Sequence, residues 1–289
     1  MRLIVLQSVW GLDRCPGFDI EARLDEALER TIAAGFDGVG VNIVRVARTA
    51  GVVRVVGARG LYWEAQVLAR DADQLARIIG EAARVGAGHL NVQVAGPVAR
   101  LADALRLLES LRRVADRAPL PVFYETHRGR LTNDLLFTLG ILEEMPDLPL
   151  TCDLSHYPVA GEMELPLRED QLAAIDRLLR NARNFHGRIS TTHQVQVALE
   201  APQHQGWLDQ HRAWWKQGFT YWRSRANAGD VLPFMCELGP PPYAITAPDG
   251  RELTDRWVEA QRMREIVLAI WDEVSSGARA DGSPEPASP

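Results

Sequence analysis

The chain has 289 residues, 46% of them apolar and 24% charged, and a formal net charge of −6 at pH 7. That length holds one large domain or two modest ones, with enough apolar residues for a sizeable core. The negative balance speaks against a nucleic-acid partner, and no apolar run reaches the roughly 18 residues a membrane span needs.

Met1-Arg2-Leu3-Ile4-Val5-Leu6-Gln7-Ser8 turns polar too soon for a signal peptide and reads as a first strand. Next, Asp19 to Ala34 carries Ile20, Leu24, Ala27, Leu28, Thr31 and Ile32 on one helical stripe, with Gly35 as its stop. Residues 36–43 form the second expected strand, Tyr62 to Leu68 the third and His89 to Val94 the fourth, with a helix capped by Asp71 between the last two. A helix over Val98 to Arg117 leads to the fifth strand, Val122 to Glu125. Thr132 to Glu144 is the next helix, and Leu148 to Asp153 the sixth strand. A helix from Glu169 to Arg183 precedes the seventh strand, His186 to Thr191. A Trp-rich helix from Leu208 to Ala226, a strand from Val231 to Glu237 and a helix from Thr254 to Val274 close the pattern. Eight strands alternating with helices predict a single-domain (β/α)8 barrel over residues 1–275, and the Gly-, Ser- and Pro-rich residues 276–289 read as a disordered tail. No Gly-x-Gly-x-x-Gly follows the first strand, which argues against an open dinucleotide-binding sheet.

The barrel predicts chemistry at the C-terminal ends of its strands. Glu125 ends the fifth, Asp153 the sixth and Glu237 the eighth, while His186 lies on the seventh. A carboxylate after a strand is often only a helix cap, a reading open for Asp153, but Glu is a poor cap. Three carboxylates and one imidazole form a hard ligand set suited to Mn²⁺ first, with Mg²⁺, Co²⁺ or Zn²⁺ also possible. Burying those carboxylates together without a cation would be costly. His127, two residues past Glu125, reads as a substrate contact, whereas Arg128 and Arg130 read as solvated. Cys15, Cys152 and Cys236 lack metal-finger spacing and read as reduced thiols, consistent with a cytoplasmic location. Lys216 is the chain's one lysine, so Schiff-base chemistry has a single candidate, in a stretch that reads as a solvated helix face.

With Gly35-Phe36-Asp37-Gly38-Val39, Tyr124-Glu125-Thr126-His127, Asp153-Leu154-Ser155-His156, Phe185-His186-Gly187-Arg188 and Cys236-Glu237-Leu238-Gly239 in this order, the chain resembles the xylose isomerase-like TIM barrels. That family includes sugar isomerases, ketose 3-epimerases, inosose dehydratase and AP endonuclease-like repair enzymes. The resemblance implies divalent-metal ligands at Glu125, Asp153, His186 and Glu237, with Glu125 and Glu237 also the acid/base pair. It places substrate contacts at His156 and Arg188. Gly40 stands where many members carry a Glu at the end of the second strand, and Gly239-Pro240-Pro241-Pro242-Tyr243 is a distinctive rigid loop.

These residues imply a metal-dependent isomerase or epimerase that moves a proton on a sugar-like α-hydroxycarbonyl compound through an enediolate. A lyase on a keto-sugar is the alternative, since both begin by removing the α-proton. Phosphodiester cleavage would need a larger metal cluster, recruiting His89, His127 and His156 from only seven histidines. A non-catalytic barrel is the fourth reading. The expected partners are a small sugar-like molecule and further copies of the chain, the latter implied by the resemblance alone.

Overall fold

The computed structural model describes residues 1–280, with backbone alone for 277–280; the expected disorder of 281–289 lies outside the described residues. Eight parallel strands close into a barrel in chain order: β1 (Arg2–Ser8), β2 (Gly38–Asn42), β3 (Tyr62–Ala69), β4 (His89–Val94), β5 (Val122–Glu125), β6 (Leu150–Asp153), β7 (Ala182–Gly187) and β8 (Val231–Cys236). Strand β1 pairs with both β2 and β8, so no edge remains.

Around the barrel run α1 (Leu24–Ala33), α2 (Val46–Val55), α3 (Ala72–Arg84), α4 (Leu101–Ala115), α5 (Leu135–Glu144), the short α6 (His156–Ala160), α7 (Glu169–Leu179), α8 (Gln205–Arg223) and α9 (Arg256–Ala280). Among the described residues no helix is long and apolar enough to cross a membrane. Helix α3 illustrates the local logic. The Asp71 carboxylate accepts from the Gln74 backbone N–H at 2.7 Å, Leu75, Ile79 and Ala82 bury one stripe, and Gly86 follows the last turn at φ 75°.

Beyond shifts of a few residues at several helix ends, such as α1 starting at Leu24 and not Asp19, the structure departs from the sequence pattern at β7, α2 and α9. Helix α7 stops at Leu179 and β7 begins at Ala182, not His186, because Phe185 pairs in register with Phe234 of β8. His186 therefore stands near the C-terminal end of its strand. Helix α2 is not announced by the apolar pattern, since Thr49, Gly51 and four valines blur its period. Helix α9 continues through Ala280, so residues 276–280, expected in the tail, are helical. The tryptophans of α8 pack within the chain: Trp214, Trp215 and Trp222 are buried, and Trp215 meets Phe234 edge-on at 5.3 Å. Lys216 is exposed beside them and pairs with Glu273 of α9 at 2.9 Å, far from a desolvated Schiff-base setting.

The barrel interior divides into two kinds of surface. On the side of β8, β1 and β2 it is apolar, filled by Ile4, Leu6 and Met235. Gly40 belongs to this side, since a Cβ there would lie 2.2 Å from the Met235 sulfur. From β3 to β7 the interior is polar and dry: Glu64, His89, Asn91, Glu125, Thr151, Asp153, Asn184 and His186 are all buried.

Candidate metal centre

Period-two alternation delivers these polar residues. In β4, Leu90, Val92 and Val94 face the helices while His89, Asn91 and Gln93 face inward; in β5, Glu125 shares the inward face. Register then stacks neighbours: Asp153 of β6 pairs with His186 of β7, and His186 with Met235 of β8.

At the C-terminal mouth, one donor atom each from Glu125, His186 and Glu237 lies within 4.8 Å of the others, and all three residues are buried. His186 Nδ1 stands 3.2 Å from Glu237 Oε2 and 4.0 Å from Glu125 Oε2, yet makes no hydrogen bond. The Glu125 carboxylate is fixed from β4: Asn91 Nδ2 donates to Oε2 at 2.5 Å and Gln93 Nε2 to Oε1 at 3.0 Å. Burial and the carboxylates of Glu237 and Asp153 push Glu125 up to about 7, against the pull of His186.

Asp153 stands one step aside from this trio. Its Oδ1 accepts from the Ser155 backbone N–H at 3.0 Å, in part the capping role open to it from the sequence. Its Oδ2 accepts from Arg188, whose Nη2 also donates to Glu237 Oε2 at 3.0 Å. Burial alone would raise Asp153, but Arg188 and His156 hold it well below the usual carboxylate range. Arg188 is thus a fully buried bridge between two of the four expected ligands. Its Nη1 has no protein partner, and its guanidinium lies 5.0 Å from the Tyr243 ring centre.

His127 is half-buried and stacks on the fully buried His156 with ring centres 4.0 Å apart. His156 Nε2 lies 3.2 Å from Asp153 Oδ2, so His156 sits behind His127 and against the ligand cluster. Burial pushes His127 down to about 3 and lowers His156 as well, so both rings stay neutral at pH 7. Glu125, His127 and His156 form a second group of three donors within 4.8 Å. Arg130, expected to be solvated, instead donates Nε to Gln93 Oε1 at 3.0 Å and so extends the support behind Glu125. Arg128 lies half-buried over the Tyr243 ring at 5.3 Å.

A cavity of about 290 Å³ opens over the cluster, lined among others by Gln66, Gln93, His127, Arg188 and Glu237. Its walls include Trp10 and Tyr243, which meet edge-on at 5.2 Å. A larger hollow of about 460 Å³ lies at the opposite end of the barrel, between Arg112, Phe123 and Pro149. It contains no group of metal-ligating side chains, so the chemistry belongs to the smaller one. Glu64, Asn91, Gln93 and Trp10 were not singled out in the sequence; His89 stood there only as a ligand that phosphodiester cleavage would recruit, and Tyr243 only as the end of a rigid loop. The alternating polar positions of His89-Leu90-Asn91-Val92-Gln93-Val94 were the available signal.

No family model matches the chain, and no curated protein matches it. Solved structures do. A xylose isomerase-like TIM barrel protein from Mycobacterium smegmatis, in complex with magnesium, is 14% identical with a TM-score of 0.61, covering 94% of this chain and 97% of that one. This chain has the xylose isomerase-like TIM-barrel fold. A xylose isomerase domain protein from Planctomyces limnophilus is 13% identical with a TM-score of 0.53, over 95% of this chain and 98% of the other. The probable 3-DHS dehydratase AsbF from Bacillus anthracis is 12% identical with a TM-score of 0.52, over 84% and 95%.

Proposed function

We propose that the chain is a divalent-metal-dependent isomerase or epimerase acting on a sugar-like α-hydroxycarbonyl compound. The observation that carries this reading is the convergence of Glu125, Glu237 and the unpartnered Nδ1 of His186, with Glu237 lining the cavity. The donor set fits such an ion. Ligand atoms about 2.1 Å from one cation stand roughly 3.0–3.4 Å apart, close to the 3.2 Å between His186 Nδ1 and Glu237 Oε2. Glu64, Glu125, Asp153 and Glu237 also bring four carboxylates into the barrel against the single guanidinium of Arg188, leaving negative charge for a cation to balance. Glu125, His186 and Glu237 would hold it, with Asp153 adjoining. Mn²⁺ suits these oxygen-rich donors, as do Mg²⁺ and Co²⁺, and the Mycobacterium smegmatis protein was solved with magnesium.

When bound, the ion would polarise a carbonyl and a neighbouring hydroxyl. The chain's own groups do the rest. Glu125, raised to about 7, is poised to take or return a carbon-bound proton near neutral pH, and Glu237 faces it from β8 as the partner acid/base. The two roles together would carry the substrate through an enediolate. Asn91 and Gln93 hold the Glu125 carboxylate in one orientation, and the free Nη1 of Arg188 is available to a substrate oxygen. Trp10 and Tyr243 shield the reacting carbon from water.

The test is incubation with Mn²⁺ and a panel of α-hydroxycarbonyl compounds in D₂O. Deuterium should appear at the carbon beside the carbonyl; no incorporation with any compound would overturn the proposal. A second reading, a lyase that expels water after the same proton removal, is favoured by one feature. Glu125, raised to about 7, could hold the α-proton it removes and pass it to a departing hydroxyl, with the neutral His127 and His156 rings packed beside it as hydrogen-bonding partners. The likeness to the probable dehydratase from Bacillus anthracis is consistent with it. A product lighter than substrate by one water would decide for the lyase.

A further inference from the structure

Glu64, the third residue of β3, is fully buried in the barrel. Its carboxylate accepts from three donors: His186 Nε2 at 2.9 Å on Oε1, and His89 Nε2 at 2.8 Å and Asn184 Nδ2 at 2.8 Å on Oε2. The chain continues to Tyr62, whose hydroxyl lies 2.9 Å from His89 Nδ1. Hydrogen-bond logic assigns the protons along this line. The ionised carboxylate only accepts, so both His89 and His186 present Nε2–H to it. His89 Nδ1 is then an acceptor, which the Tyr62 hydroxyl satisfies. With Nε2 thus engaged, Nδ1 of His186 is the atom directed between Glu125 and Glu237, the one an ion would bind.

We infer that Glu64 is the positioning residue of the metal centre, fixing the Nε2–H tautomer and ring orientation of His186 so that Nδ1 is the ligand atom. This rests on the metal reading given above. A carboxylate behind a ligating imidazole raises its basicity and restricts its rotation. Here Glu64 cannot swing away, because His89 and Asn184 hold its other oxygen and Thr151 in turn lies 3.2 Å from Asn184 Nδ2.

Two measurements test the inference. In Mn²⁺ titrations, Glu64→Gln should bind the ion about 10- to 100-fold more weakly than the parent protein, while keeping its circular-dichroism spectrum and a cooperative melt. A merely structural role would lower the melting temperature and leave the dissociation constant of the folded protein unchanged, and that result overturns the inference. Because Glu64→Gln could fail to fold, the second measurement uses the parent protein. In ¹⁵N-histidine spectra of the Zn²⁺-loaded chain, the resonances lost in His186→Asn should show a protonated Nε2 and a metal-bound Nδ1. The reverse assignment overturns the inference. Parent protein that binds neither ion would bring down the metal reading and this inference with it. Normal binding by both parent and Glu64→Gln would bring down this inference alone.

Discussion

Glu125 has the sharpest consequences of any single residue. Replacing it with Gln keeps the shape but removes the charge and one of the two oxygens to which Asn91 and Gln93 donate, so proton exchange should fall by about 10²–10⁴-fold. Glu237→Gln should do the same, and deuterium incorporation under saturating Mn²⁺ measures both. Gly40 makes a different point. A methyl group there would collide with the Met235 sulfur, so Gly40→Ala should cost about 1–3 kcal/mol in a denaturant melt, and Met235→Ala should recover part of it. The same contact leaves no room for a carboxylate at position 40 of β2, since Met235 occupies the space such a side chain would need. Glu125, Asp153 and Glu237 stand out in the sequence because each ends an apolar strand, whereas His186, read as opening the seventh strand, stands out as an imidazole between Phe185 and Gly187. Glu64 does not, since Trp63 and Ala65 on either side make it look like one stray charge on the outer face of a strand. Only the pairing of Glu64 with His89 across β3 and β4 reveals that it faces inward.

Single elements carry the walls of the site. Helix α9 begins with Arg256, a buried side chain whose Nη1 donates to the Gly11 carbonyl and whose Nη2 donates to Asp13 O at 2.8 Å, while Nε pairs with Glu252 at 2.6 Å. It thereby ties the loop that carries Trp10 to the start of the last helix, and Gly239 packs against the same Trp10 ring. Removing one partner of such a buried pair costs about 3–5 kcal/mol. Arg256→Met should therefore lower stability by that order and raise KM more than it changes Mn²⁺ affinity, a split that steady-state kinetics and metal titration separate. The element boundaries were less legible than the elements. The β7 start was misread by four residues because Ala182-Arg183-Asn184 looks like a helix end until Phe234 pairs with Phe185. Helix α2 was invisible because valines fit a strand as readily as a buried helix face.

For the molecule as a whole, metal and pH should both register in stability. An ion that binds only the folded state at about 100 times its dissociation constant adds about 2.7 kcal/mol, so chelation should lower the melting temperature by several degrees. Acid acts through His211, which is fully buried on α8 and held at about 3 by desolvation. Its folded value lies below its unfolded one, so the unfolded chain takes up the extra proton first as pH falls. Its contribution is therefore intact above about pH 6.5 and is lost between there and pH 3, at about 1.4 kcal/mol per pH unit. His211→Gln should flatten that part of the stability profile in equilibrium unfolding. The alternation of eight strands with helices made the barrel legible, but its two-sided interior was not, because it depends on which strand faces meet.

That divided interior bears on how the sequence can drift. Of the four buried carboxylates on the β3-to-β8 arc, Asp153 is held charged by Arg188 and His156 and Glu64 by His186 and His89, whereas Glu125, pushed up to about 7, opposes folding unless a cation or a proton offsets it. If the reaction were no longer under selection, the shortest mutational steps toward a more robust protein would be those that replace Glu125 by a neutral side chain, whereas loss of Asp153 or Glu64 would strand their buried partners. A deep mutational scan selected for folding alone should enrich replacements of Glu125, and the same library selected for turnover should purge them.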